Sequence, residues 1–212
     1  NPTLNTGSKL LNDTTGQFIA NAINSGSTPN IITGPGIFEN KGTVSKTSGG
    51  LTTIDVTLNN IDGSFNLTGQ NLELSSGGSH SGTLTVDGSQ SLLFSGGTHN
   101  FANGLIIAGT GTAQTSGGIT QLLGSLQVDG TLNLSGGILN TGLATTITGA
   151  GSSIFSGGTL TGAGLTLPGS TQWSGSLIDQ DVLHTGTMSM TGGTLGANRT
   201  LTNQGTITWA DG

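Results

Sequence analysis

The sequence predicts an all-β fold, a single-stranded parallel β-solenoid, from a recurring tripeptide, an alternating apolar pattern, and a composition that is rich in glycine yet periodic. Ser-Gly-Gly returns at Ser48, Ser76, Ser95, Ser116, Ser135 and Ser156, with variants at Ser174 and Thr191. Between Ser76 and Ser156 the steps are 19, 21, 19 and 21 residues, which marks one structural unit stacked repeatedly along the chain. A strand-and-turn unit of that size cannot bury its own apolar face, so neighbours above and below must supply the core. The 212 residues make about ten coils of roughly 20 residues. At the ~4.8 Å spacing of hydrogen-bonded strands they form a rod roughly 50 Å long.

Residues 1–37 are the least regular part and read as N-terminal coils or a cap. Within them Leu10 to Ile23 admits a short capping helix as a secondary reading, with Asn12 or Asp13 near its start. Residues 38–212 read as the regular solenoid, continuous with the first part as one rod. There, apolar residues alternate with Thr, Ser, Asn or Gln at Leu84/Val86, Leu126/Val128, Leu132/Leu134 and Met188/Met190, the period of a half-buried strand. The six phenylalanines fall in the same inward rows. Gly77, Gly96, Gly117, Gly136, Gly157 and Gly192 mark corners of the coil, and Asp87-Gly88 and Asp129-Gly130 mark others. Trp209 shares a row with Ile207, an expected core position, so alternation predicts that it points inward and is buried.

Composition excludes several function classes. Forty glycines and 7% charged residues resemble disorder, but the 31% hydrophobic residues are periodic rather than scattered. Ten acidic residues against four basic ones, Lys9, Lys41, Lys46 and Arg199, leave no basic stripe for a nucleic acid or an anionic membrane. No apolar run is long enough to span a bilayer. The absence of cysteine removes disulfides and thiolate metal sites, and no cofactor is expected.

The stretches ENKGTVSKTSGGLTTIDVTLNN, LELSSGGSHSGTLTVDGSQSLLFSGGTHNF, GTLNLSGGILN and FSGGTLTGAG resemble the Gly/Ser/Thr-rich β-strand repeats of large bacterial surface proteins. These are the filamentous-haemagglutinin-like adhesins and autotransporter passenger domains. The resemblance covers about Phe38 to Gly212. It implies a right-handed solenoid and an extracellular, cell-surface role as stalk, adhesin or fibre. The segment Leu201 to Gly212 stops just after a strand without a polar cap, so axial joining to copies of itself, in the same or separate polypeptides, is expected through Asn1, Leu4, Leu201, Ile207 and Trp209. Glycans and other surface proteins are further expected partners.

Few residues group as chemistry would require. Asp179 and Asp181 are the closest carboxylates, on one face of an extended strand, with His184 nearby and Arg199 one coil on. Solenoid polysaccharide lyases and hydrolases carry a similar grouping, so a carbohydrate-active enzyme is the alternative reading. The favoured one is a polar loop from Ser176 to Asp181, where the coil lengthens, with Asp bound to turn amides and Arg199 solvated or loosely paired. His80 and His99, 19 residues apart, stack on neighbouring coils, where two imidazoles on the surface make a poor metal site. Thr-x-Thr pairs such as Thr83/Thr85 and Thr206/Thr208 skip coils, which argues against a flat ice-matching array.

Overall fold

A computed structural model describes residues 2–21 and 30–210, and these wind into a parallel β-solenoid of about nine turns, with no helix among the described residues. One coil shows the plan. Strand Ser91–Phe94 lies on a first face, the Ser95-Gly-Gly corner leads to strand Thr98–Phe101 on a second, and Leu105–Ala108 forms a third. Strand Thr112–Thr115 then returns to the first face, directly beside Ser91–Phe94. All strand pairing is parallel, and the long strands Asn30–Asn40 and Thr52–Asn60 bend from the first face to the second.

Alternation sets the core. On each strand one set of side chains points into the coil, and Leu84, Val86, Leu126, Val128, Leu132, Leu134, Met188 and Met190 are all buried. Phe38, Phe65, Phe94, Phe101 and Phe155 are buried too, and Phe18 packs partly against them. Strands Lys9–Asn12 and Gln17–Ile19 occupy the stretch read secondarily as a capping helix; their pairing with Asn30–Asn40 and Thr43–Lys46 continues the solenoid instead. Local helical propensity there yields to a ready parallel partner. Ala22 and Ile23 lie outside the described residues.

The Ser-Gly-Gly corner has a distinct reason for each glycine. A Cβ on Gly96, Gly117, Gly136 or Gly157 would run into the carbonyl oxygen of Ser75, Ser95, Ser116 or Ser135 on the coil before. Gly97, Gly118, Gly137 and Gly158 have φ between 60° and 72°, a conformation that a side chain makes costly. The backbone ladder therefore runs through the corner without a break. Ser116, Ser135 and Ser156 each donate their amide to the coil before at 3.0 Å, and the amides of Ile119, Ile138 and Thr159 reach the glycine carbonyls of Gly97, Gly118 and Gly137 at 2.9 Å. At Ser174-Gly-Ser the third position is Ser176, buried, with its hydroxyl donating to Gly157 and its carbonyl accepting the Trp173 indole at 2.9 Å.

The coils also narrow. Partners on the first face are 21 residues apart at Ser91 and Thr112 but 17 at Ser170 and Thr187. Between the second and third faces, the turn from Thr141 to Thr145 shrinks to Gln180-Asp181. Gly162 lies between them, and its missing side chain lets Thr141 donate its hydroxyl to the side-chain amide oxygen Oε1 of Gln180 at 2.6 Å across an intervening coil.

Replacing Gly117 by Ala is expected to cost roughly 2–4 kcal/mol, because backbone blocks the new methyl group. Gly88→Ala, where space is open and only the φ of 61° is strained, should cost about 1 kcal/mol. Thermal unfolding of the two variants should therefore separate by several degrees, as expected for a chain of this size.

Candidate functional site

Each grouping that the sequence singles out falls at a definite place on the solenoid. Asp179 ends strand Leu177–Asp179 and Asp181 lies in the corner before Val182–His184, so a corner separates them where an extended strand was expected to hold them on one face. Gln180 between them is buried. Asp179 accepts a hydrogen bond from Arg199 Nε at 2.9 Å, and Asp181 accepts the backbone amide of Thr200 at 2.9 Å. Both carboxylates thus fasten the turn of the next coil. Both partners of the ion pair are more than a third exposed, which limits its strength. Asp181 also borders an open groove of about 280 Å³, floored by Leu165 and Val182 and edged by Thr146, Thr166 and Thr202. The groove lies where the coils shorten, so the lengthened loop expected from Ser176 to Asp181 is instead a short strand and a tight corner.

His184 is buried, with Nδ1 3.0 Å from the Asn203 amide oxygen, and it does not join the carboxylates. His80 and His99 do stack on neighbouring coils, but inside the core and not on the surface. Their rings are 5.3 Å apart, and His80 Nε2 lies 3.0 Å from His99 Nδ1. Phe94 and Phe101 pack edge-on around them. Register explains the correction: His80 stands in the same inward row as Asn60 and Phe101, and His99 in the row of Thr120. Burial holds His80 well below the ordinary histidine range, aided by its neighbour His99. It lowers His99 to about 4, although the carbonyls of Leu74 and Gly96, near the ring without completing a hydrogen bond to Nε2, pull the other way. Among the described residues no three His, Asp or Glu side chains gather as a metal site.

Two inward polar features escaped the sequence reading. Asn12, Asn40 and Asn60 form a ladder in one row, the Nδ2 of each of the first two donating to the next amide oxygen at 2.7 and 2.6 Å. Its signal is an asparagine shortly before a corner glycine, as in Asn40-Lys-Gly42 and Asn60-Ile-Asp-Gly63. Lys46 shares the inward row of Leu67, donates its ammonium to the Ser48 carbonyl at 2.6 Å, and has its pKa lowered by burial.

The outer rows are polar but mixed. On the first face a hydroxyl column runs from Ser91 through Thr112, Thr131 and Ser152 to Thr206. The column two residues along holds Leu93, Gln114, Asn133 and Ile154, so no regular Thr-x-Thr lattice forms on that face.

The ends of the described coils differ from the middle. Trp173 is 3% exposed, but Trp209, two coils later in the same inward row, is 72% exposed. Alternation gives its direction correctly; burial fails because no described coil lies beyond it. Leu195 is 38% exposed, while Leu201 and Ile207 are half-buried. At the opposite end Leu4, Leu10 and Phe18 are half-buried, and Asn1 lies outside the described residues.

No family model, curated protein or solved structure matches the chain.

Because the Arg199 contact is solvent-exposed, Arg199→Ala is expected to lower stability by less than about 1 kcal/mol. Asn60→Leu, which removes one acceptor of the Asn40 amide and the donor of the Gly63 and Ser81 carbonyls, should cost roughly 2–3 kcal/mol. Denaturant melts of the two variants would check that order.

Proposed function

We propose that the chain is a structural or adhesive rod segment of an extracellular surface, extended axially by further coils of the same kind. The observation that supports this most is the edge formed by Leu195, Leu201, Ile207 and Trp209. There the inward row reaches the end of the described coils uncovered, and the strands Leu201–Asn203 and Thr206–Trp209 are paired on one side only. Unpaired strand edges beside exposed apolar side chains favour addition of another strand layer. More of the same polypeptide or a second copy can supply it. In a second copy, Leu10 would continue the row that ends at Leu195, since Leu10 starts the row of Phe38 and Leu58.

The extracellular assignment draws on the nearly uncharged Ser/Thr/Asn/Gln exterior, the lack of cysteine and the resemblance to bacterial surface repeats. Mechanically, each coil satisfies the backbone groups of the one before it, so stiffness grows from repetition rather than from any single contact. A second reading, glycan binding or turnover, draws on the groove beside Asp181. It requires that the isolated chain bind or convert a polysaccharide and that Asp181→Asn abolish this.

Sedimentation of the 212-residue chain should show concentration-dependent association into coaxial rods. The double change Leu195→Asp and Trp209→Arg should weaken it by roughly 10- to 30-fold, the range for losing a central apolar anchor. Folded monomers that never associate at micromolar concentration would contradict joining by separate copies.

A further inference from the structure

The His80 and His99 pair is the part of the core that the rod reading leaves unused. Two neutral imidazoles hold two N–H groups and two lone pairs, and their mutual contact uses one of each. His80 Nδ1 and His99 Nε2 are left without hydrogen-bond partners. The strands around the pair offer no counter-charge. Those of residues 52–60, 72–74, 83–86, 91–94, 105–108 and 119–122 bury only Leu, Val, Ile, Phe, Thr and Asn side chains toward it. The titratable groups on these strands face elsewhere: Glu73 accepts the Thr53 hydroxyl, and Asp55 accepts those of Ser75 and Ser76. At the adjoining corners Asp62 is bound to Ser81, and the Asp87 carboxylate lies against Gly109. His80 also forms part of the wall of a surface notch of about 160 Å³, where small Ser81 and Ala102 lie between exposed Ile61 and Leu123. The covering over the ring is therefore thin.

We propose that this pair is an acid-sensitive joint in the rod, at which proton uptake opens the coils of residues 72–108 while the coils beyond them stay stacked. A buried imidazolium without a counter-ion is costly, whereas the opened segment hydrates it. The sign follows from proton binding. Both histidines titrate below 6.5 when closed and near 6.5 when open, so the closed state is fully favoured above pH 6.5 and loses stability as pH falls. For His99 the loss continues down to about 4. Between pH 7.5 and 4.5 this one residue shifts the balance toward opening by roughly 50- to 100-fold. Opening would expose Phe94 and Phe101, an apolar surface absent at neutral pH.

Amide hydrogen exchange on the intact chain, with protection factors corrected for the intrinsic pH dependence, tests this directly. Protection across residues 72–108 should fall at least about 50-fold between pH 7.5 and 4.5, and that across 131–173 by less than about threefold. In the double variant His80→Leu, His99→Leu, the two segments should respond alike. Uniform loss along the chain, retained protection at 72–108, or an unchanged response in the variant would overturn the proposal. Should that variant not fold, imidazole titration of the unmodified chain by NMR decides the matter: two resonances titrating below the ordinary range, that of His99 near 4, support the joint, and ordinary titration of both near 6.5 refutes it.

Discussion

Close backbone contact between successive coils is the constraint on which the rest of this structure depends. It recurs at the Ser-Gly-Gly corners from Ser95 to Ser156, where the first glycine faces the serine carbonyl of the coil before and the second turns with positive φ. Any side chain at the first position would push two coils apart, and the strand ladders on both adjoining faces would lengthen with it. The apolar rows follow from this spacing. Stacked at strand separation, Leu, Val, Ile, Phe and Met touch their own kind above and below, and a narrow coil that could not fold alone acquires a core. Where the corner changes to Ser174-Gly-Ser, the coil shortens and Trp173 folds its indole onto the corner carbonyl.

Much of this was legible in the sequence because it depends on period and parity. The spacing of the tripeptide gives the coil length, and alternation at pairs such as Leu132/Leu134 gives the inward side. What escaped depends on register between residues about 20 apart. Nothing local in Asn12, Asn40 or Asn60 says that they share a row, yet the row is what links their amides to one another. His80 and His99 look like surface residues by type, but position in the row decides burial in a solenoid. Lys46 is inward for the same reason. Trp209 shows the complementary failure: its direction follows from Ile207, but its exposure depends on whether another coil lies beyond.

The candidate site was legible in part. Asp179 does meet Arg199 across one coil, while Asp181 instead binds the amide of Thr200, and both contacts hold a turn together. Alternation suggested that the two carboxylates share a strand face, and it misled because a corner falls at Gln180. Sequence spacing cannot place that corner, since these coils are shorter than those before them. The shortening also makes the groove that Asp181 borders. A mostly neutral outer surface, polar rows that vary from coil to coil, and an uncovered apolar edge are the features on which the proposed rod function rests.

The central claim is that strands lie across the rod and that coils add along it. X-ray diffraction from an aligned gel of the chain tests this most directly, because strand spacing and rod axis are then seen together. The account predicts a reflection near ~4.8 Å along the alignment direction. The same reflection perpendicular to that direction would place the strands along the rod and contradict axial growth by stacked coils.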